Sequence, residues 1–226
     1  MIKAVVFDLD NTLVDFMAMK RQAVDAAIGA MMDAGLNLSF DKVKEHIDGI
    51  YKELGIEYQQ VFDRLLIDVL GYVDPRIISA GIIAYRRARE AALKPYPHVT
   101  ATLMHLNRSG IKLGLLSDAP TREAWLRLCF INYHHFFDTV VTFDDTGERK
   151  PSPKPFLTVL ERLDIEADCA IMVGDWAERD MVGAKNVGMK TAFAKYGDSF
   201  GNQTVQADYI LDDIKQLLDI IRLHNA

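Results

Sequence analysis

Residues 1–15 read MIKAVVFDLDNTLVD, an apolar run that leads directly into two carboxylates. Residues 4–7 are continuously apolar, which is typical of a strand buried on both faces of a parallel sheet. Because alternate residues of an extended chain point to the same side, Asp8 and Asp10 are predicted to face one small volume beyond the strand. Such charges repel each other unless a cation or a chemical task brings them together. The alternative interpretation is that residues 10–12 cap a following helix.

The composition is that of an ordinary soluble protein with an ample core. Half of the 226 residues are hydrophobic and a quarter are charged. The net charge of −6 argues against a nucleic-acid partner, although a local pocket can still be positive. No signal-peptide pattern or bilayer-length apolar stretch is seen, so no membrane partner is expected. Cys129 and Cys169 are predicted to be buried free thiols, which favours a cytoplasmic location.

Residues 16–93 follow helical periodicity throughout. Val43, Ile47 and Ile50 show the spacing most clearly, and Asp74-Pro75 is typical of a helix start. Four amphipathic helices with short turns predict a small bundle.

From residue 99 onward, apolar strands and helices alternate, which predicts a mainly parallel sheet. The predicted fold class is α/β, with a Rossmann-like parallel-sheet core formed by residues 1–14 and 95–226. A small all-helical cap domain, residues 15–94, is inserted after the first strand. An insertion beginning beside Asp8 and Asp10 can close over them and exclude water.

Polar residues end two further predicted strands, with Ser117-Asp118 after one and Asp175 after the other. Ligands of open parallel sheets bind outside the carboxyl ends of the strands. A carboxylate at Asp175 near Asp8 would suit Mg²⁺, whereas Ser117 and the following helix start would attract an anion. Helix capping is the alternative for both Asp118 and Asp175.

Residues 148–156, ERKPSPKPF, form a proline-rich loop with two candidate cations. A fixed ammonium there would neutralise a phosphoryl group and a carboxylate nucleophile. The residues alone do not separate Lys150 from Lys154, and an exposed, solvated lysine is the ordinary alternative for either. Together, the carboxylates, hydroxyl and lysine indicate phosphoryl transfer.

Four segments resemble the motifs of the haloacid dehalogenase superfamily, specifically its magnesium-dependent phosphatases with a helical cap after the first motif. In chain order they are VVFDLDNTLVD (5–15), LLSDAP (115–120), KPSPKPF (150–156) and VGDWAERDMVGAKNVGMKT (173–191). The resemblance covers nearly the whole chain, and its third motif favours Lys150 over Lys154.

The resemblance implies that Asp8 attacks phosphorus to form an aspartyl phosphate. Asp10 would protonate the leaving alcohol and later activate water. Mg²⁺ would be held by the Asp8 carboxylate, the Asp10 backbone carbonyl and Asp175, with Lys150 balancing charge.

The surroundings of these residues are also implied by position in the motifs. Ser117 and the backbone near it, including Asp118, would hold phosphate oxygens. Thr12 would order the first loop. Asp180 would contact the metal-binding residues without binding the metal itself.

Two positions depart from the family pattern, and the cap is less informative. Phe16 replaces a common serine, which affects expected substrate contacts, and Trp176 predicts a more apolar rim.

Lys20 and Arg21 lie on the first cap helix and are candidates to meet a second anionic group of the substrate. A solvated helix face is the alternative.

The expected function is a magnesium-dependent phosphatase acting on phosphoglycolate, a triose phosphate or a sugar phosphate, as a monomer or homodimer. A dehalogenase is disfavoured because Asp10 is present. A sugar phosphomutase using the same nucleophile is one alternative. A non-enzymatic binding or regulatory module is another, since a fold alone does not establish function.

Overall fold

A computed structural model describes residues 1–199, 201 and 205–226. It confirms the predicted fold class, because six strands form one parallel sheet in the order β3-β2-β1-β4-β5-β6. The strands are β1 (Ala4–Phe7), β2 (Lys112–Leu116), β3 (Thr139–Val141), β4 (Ala170–Gly174), β5 (Lys190–Ala194) and β6 (Tyr209–Leu211). In the sequence, helices lie between β1 and the other five strands.

β1 lies in the middle of the sheet, and its register brings the site residues level. Phe7 pairs with Leu115 of β2 on one side and with Val173 of β4 on the other. All four β1 residues are fully buried, as the apolar run predicts. The polar residues that follow β1, β2 and β4 therefore emerge at one edge of the sheet.

The contacts divide the chain into two compact units, Met1–Phe16 with Lys94–Ala226, and Met17–Leu93. The helices of the sheet-containing unit pack in part against the strands, for example through Phe156 and Val159 against Val6 and Met172. They are α5 (Val99–Arg108), α6 (Thr121–Phe130), α7 (Phe143–Thr146), α8 (Pro153–Leu163), α9 (Val182–Asn186) and α10 (Gln216–Asn225).

The second unit has its own apolar core, formed by side chains such as Ile28, Ile47 and Leu65. Its helices are α1 (Phe16–Asp33, whose first residue belongs to the other unit), α2 (Phe40–Leu54), α3 (Val61–Leu70) and α4 (Pro75–Ala92). Asp74 caps α4, because its carboxylate accepts hydrogen bonds from the N–H groups of Arg76 and Ile77.

The prediction of buried thiols is wrong, although both cysteines are free. Cys129 is exposed because it lies on the outward face of α6, opposite the buried Ala124 and Leu128. Cys169 is partly exposed at the end of a short 3₁₀ turn, Ala167–Cys169. Within the described residues, none of the helices has the length and apolar character needed to cross a membrane.

Candidate active site

Three buried carboxylates meet at the edge of the sheet. Asp8 follows β1, Asp175 follows β4, and Asp180 lies in a π-helical turn, Ala177–Met181. One oxygen from each of the three lies within 4.8 Å of the other two. The sequence brings Asp8 and Asp175 together through strand register, whereas Asp180 reaches them because its turn folds back over the end of β4.

Lys150 is the cation inside this cluster, and it is only 4% exposed. Its Nζ lies 2.5 Å from Asp8 Oδ1 and 2.7 Å from Asp180 Oδ1. Burial opposes the charge of Lys150, but Asp180, Asp8 and Asp118 outweigh it and raise the pKa of the ammonium. Lys154 instead donates to the carbonyl of Thr146, outside the cluster.

The carboxylates outnumber the ammonium, and this excess adds to the effect of burial in raising the pKa values of Asp8 and Asp175. Burial is the largest influence raising the pKa of Asp8; Lys150 opposes it, and Asp180 and Asp10 add to it. Burial followed by the charges of Asp8 and Asp180 likewise raises the pKa of Asp175. Crowded carboxylate oxygens with surplus negative charge are the donor set that a hard divalent cation prefers. The cluster of Asp8, Asp175 and Asp180 therefore fits a site that binds a divalent cation.

The loop after β1 is fixed to this cluster. Thr12 Oγ1 donates to Asp175 Oδ1 at 3.2 Å, and the carbonyl of Thr12 accepts from the Tyr196 hydroxyl at 2.9 Å. Asn11 has a left-handed backbone with φ of 57°, and a side chain at Gly197 would overlap its carbonyl oxygen. Thr12 thus connects the first loop directly to the residue that follows β4.

Ser117 and Asp118 follow β2 and have different surroundings. Ser117 is buried, and its Oγ accepts from the N–H of Ala119. Asp118 accepts from the Lys150 N–H at 2.9 Å and from Arg179 Nη1 at 3.0 Å.

Two capping alternatives are therefore wrong. The N-cap residue of α6 is Pro120, whose side chain makes no capping hydrogen bond. The first N–H of that helix donates to Asp144 and not to Asp118. The turn after β4 has Trp176 as its N-cap residue, and Asp175 accepts from Thr12. Because the Asp118 side chain is negative and holds the Lys150 loop, only its main chain suits contact with a phosphate.

Asp10 lies apart from the three clustered carboxylates. Its Oδ2 accepts from Arg127 Nη1 at 2.9 Å, and the guanidinium of Arg127 lies 4.6 Å from the centre of the Phe16 ring. Sequence reasoning missed Arg127. Its signal was available, since Arg127 stands three residues after Ala124 and one before Leu128, on the buried face of α6.

Trp176 does not present a bare apolar rim. The guanidinium carbon of Arg179 lies 3.6 Å from the centre of the Trp176 ring. The main-chain N–H of Trp176 donates to Asp180 Oδ2 at 3.0 Å. Trp176 therefore begins the turn that carries Asp180, and a cation lies on its ring.

The two cap cations are placed differently within their own unit. Lys20 is buried, donates to the Tyr85 hydroxyl at 3.1 Å, and lies 4.5 Å from the centre of the Tyr51 ring. Arg21 is exposed. The solvated-face alternative therefore describes Arg21 and is wrong for Lys20.

Comparison with known proteins bears on this arrangement. The family model of haloacid dehalogenase-like hydrolases matches residues 2–188. A glyceraldehyde 3-phosphate phosphatase of Methanocaldococcus jannaschii is 37% identical over 98% of each chain. A protein of the same name from Methanopyrus kandleri is 36% identical over 98% of each chain. The crystal structure of a phosphatase of this family from Thermococcus onnurineus aligns with a TM-score of 0.70 and 26% identity, over 97% of this chain and 98% of that one.

Proposed function

The chain belongs to the haloacid dehalogenase-like hydrolase family, and we propose that it hydrolyses glyceraldehyde 3-phosphate or a similar three-carbon phosphate ester. Within the predicted class of small phosphorylated metabolites, the names of the full-length relatives favour this substrate. Asp8 is the proposed nucleophile, Asp10 the acid and base, and Mg²⁺ the cofactor.

The observation that carries the proposal is the ion pair between Lys150 and Asp8 beside the carboxylates of Asp175 and Asp180. A carboxylate nucleophile needs a nearby positive charge, because it must approach a phosphoryl group that is itself negative. The ammonium of Lys150 supplies that charge, because its Nζ lies 2.5 Å from Asp8 Oδ1. A lysine so deeply buried among acids is unusual for a purely structural role.

In the first step, a carboxylate oxygen of Asp8 attacks phosphorus and the ester P–O bond breaks. Asp10 gives its proton to the leaving alkoxide, so that a neutral alcohol departs. In the second step, a water oxygen attacks the aspartyl phosphate, Asp10 takes the proton of that water, and the Asp8–phosphorus bond breaks. Inorganic phosphate leaves, and both carboxylates regain their starting states.

The phosphoryl oxygens would be held by Ser117, by the main chain after β2 and by Lys150. Mg²⁺ would be held by the carboxylates of Asp8 and Asp175 and the main-chain carbonyl of Asp10. When bound, it supplies positive charge against the phosphoryl oxygens. Asp180 supports this set, because its two oxygens contact Lys150 Nζ and the Trp176 N–H.

The test is phosphate release from a panel of metabolites, with MgCl₂ and with EDTA. The panel contains glyceraldehyde 3-phosphate, phosphoglycolate and glucose 1-phosphate. We expect release to be fastest from glyceraldehyde 3-phosphate and to be abolished by EDTA. Asp8→Asn should lower turnover by roughly 10³-fold or more, because an amide is a poor nucleophile.

Asp168→Asn is the matched control, since Asp168 is an exposed aspartate outside the cluster. Equal turnover by Asp8→Asn and the wild type would exclude Asp8 as nucleophile. Conversion of glucose 1-phosphate into its isomer without phosphate release would identify a phosphomutase instead. No release from any member of the panel would favour a binding module.

A further inference from the structure

We propose that Arg127 is a positioning residue for Asp10, which holds the carboxylate in place for proton transfer to and from the reacting oxygens. This inference rests on the proposed function, in which Asp10 is the acid and base. It concerns a residue outside the four motifs, on the helix that follows β2.

The geometry favours a positioning role. Arg127 Nη1 lies 2.9 Å from Asp10 Oδ2, and the side chain of Arg127 is 7% exposed against 21% for that of Asp10. The arginine is therefore the buried partner and the aspartate the one nearer to solvent. The ion pair with Asp10 favours the charged guanidinium, and truncating either partner removes this pairing.

Arg127 is itself held from two sides. Its helix is fixed to the protein by the buried Ala124 and Leu128, on the same face of α6. Its guanidinium lies 4.6 Å from the centre of the Phe16 ring, within the range of a cation–π contact. Because the donor is fixed, the hydrogen bond favours the rotamer of Asp10 that places Oδ2 beside Arg127.

Rotamer selection matters for proton transfer, because the acid must lie within hydrogen-bond reach of the leaving oxygen. Displacement by about 1 Å can lower a rate by roughly 100-fold. The hydrogen bond from Arg127 thus holds the Asp10 side chain in position, although Asp10 lies outside the Lys150 cluster.

The test compares two substrates that differ in their need for an acid. Glyceraldehyde 3-phosphate releases an alkoxide that must be protonated, whereas p-nitrophenyl phosphate releases a stable phenolate. The constant kcat/KM reports the steps up to aspartyl-phosphate formation, so it isolates the acid step. We expect Arg127→Gln to lower kcat/KM roughly 100-fold for glyceraldehyde 3-phosphate and by less than about threefold for p-nitrophenyl phosphate.

Three further variants sharpen the result. Arg127→Lys should restore part of the loss, because it keeps the charge without the planar fork. Phe16→Leu should show the same substrate pattern at about threefold to tenfold, since it removes the ring that contacts the guanidinium and leaves the ion pair in place. In an Asp10→Asn background, Arg127→Gln should add no further loss.

Arg122→Gln is the control, because Arg122 is exposed on the same helix. Equal losses for both substrates, or losses that multiply with Asp10→Asn, would overturn the positioning role; so would faster turnover of glyceraldehyde 3-phosphate. If Arg127→Gln does not fold, the two substrates are compared with Arg127→Lys, for which a smaller loss confined to glyceraldehyde 3-phosphate is expected. Failure of the proposed function is distinguished by the wild type, which would then release no phosphate from either substrate.

Discussion

Among the described residues, the buried lysines are Lys150 and Lys20, one in each compact unit, and their surroundings differ in kind. Lys150 contacts the carboxylates of Asp8 and Asp180. Lys20 contacts the hydroxyl of Tyr85 and the ring face of Tyr51. Lys150 thus has carboxylates among its contacts, and Lys20 has a phenol hydroxyl and an aromatic ring among its own.

The difference follows from how each unit is built. Parallel strands deliver their carboxyl ends to one edge, so charges from distant segments are forced together there. Helices deliver side chains by periodicity, and a lysine on an apolar face is accommodated by rings and a hydroxyl. Burial, followed by Tyr85 and nearby acids, raises the pKa of Tyr51, so its hydroxyl stays neutral.

The largest expected effect is the removal of the Lys150 charge. Lys150→Met should lower phosphate release by roughly 10³-fold, because the nucleophile and the phosphoryl group lose their shared cation. In EDTA it should also lower the free energy of unfolding by about 3–5 kcal/mol, since buried carboxylates lose their partner. Phosphate assays and urea unfolding measure the two effects.

Lys154→Met is the matched control for Lys150→Met. Lys154 lies four residues further on and contacts a main-chain carbonyl instead of the cluster. Its substitution should leave turnover within about twofold of the wild type. If the two variants lose activity equally, the role assigned to Lys150 is incorrect.

The second expected effect compares a glycine in each unit. A Cβ at Gly174 would overlap the carboxylate of Asp180, so Gly174→Ala should cost about 2–3 kcal/mol and displace that acid from Lys150. A Cβ at Gly49, inside α2, meets nothing within 4 Å. Gly49→Ala should therefore stabilise the protein by about 0.5–1 kcal/mol. Urea midpoints for both variants test this, and destabilisation by both would contradict it.

Local patterns made the sheet and most of its polar edge predictable. The apolar run before Asp8 and the one before Asp175 are strand signals in their own right, and parallel pairing puts their ends level. Helical spacing in residues 16–93 and the Asp74 cap are equally local.

Long-range contacts were not predictable in the same way. The bond of Arg127 to Asp10 joins residues 117 positions apart, and that of Arg179 to Asp118 joins residues 61 apart. Neither arginine belongs to a pattern that names its partner. The choice between Lys150 and Lys154 also depended on family resemblance, because both lie in one proline-rich loop with similar neighbours.

The third expected effect concerns Lys20, a proposed substrate contact. Lys20→Met keeps the length and apolar stem of the side chain but removes its charge. If the charge meets a polar group of the substrate, KM for glyceraldehyde 3-phosphate should rise about tenfold, with kcat within about twofold. Arg21→Met, on the neighbouring exposed position, should change KM less. Lower stability with an unchanged KM would assign Lys20 to packing alone.

The smallest expected effect concerns Asp208, an isolated carboxylate to set beside the crowded ones. Burial acts to raise its pKa, but hydrogen bonds from the hydroxyl and N–H of Thr191, with Lys185 and Lys190 nearby, outweigh this and lower the pKa. A lowered pKa in the folded state means that the ionised form stabilises the fold. That contribution is complete above the ordinary pKa of 3.8 and is lost as pH falls through the folded value.

Asp208→Asn should therefore lower the free energy of unfolding by less than about 1 kcal/mol at pH 7, since solvent screens a carboxylate that is largely accessible. The difference from the wild type should shrink as the pH falls below the ordinary pKa of 3.8 and through the lower folded value. Urea midpoints at several pH values between 3 and 7 measure it. A difference that does not shrink at all below pH 3.8 would assign the effect to hydrogen-bond geometry, because protonation removes only the charge.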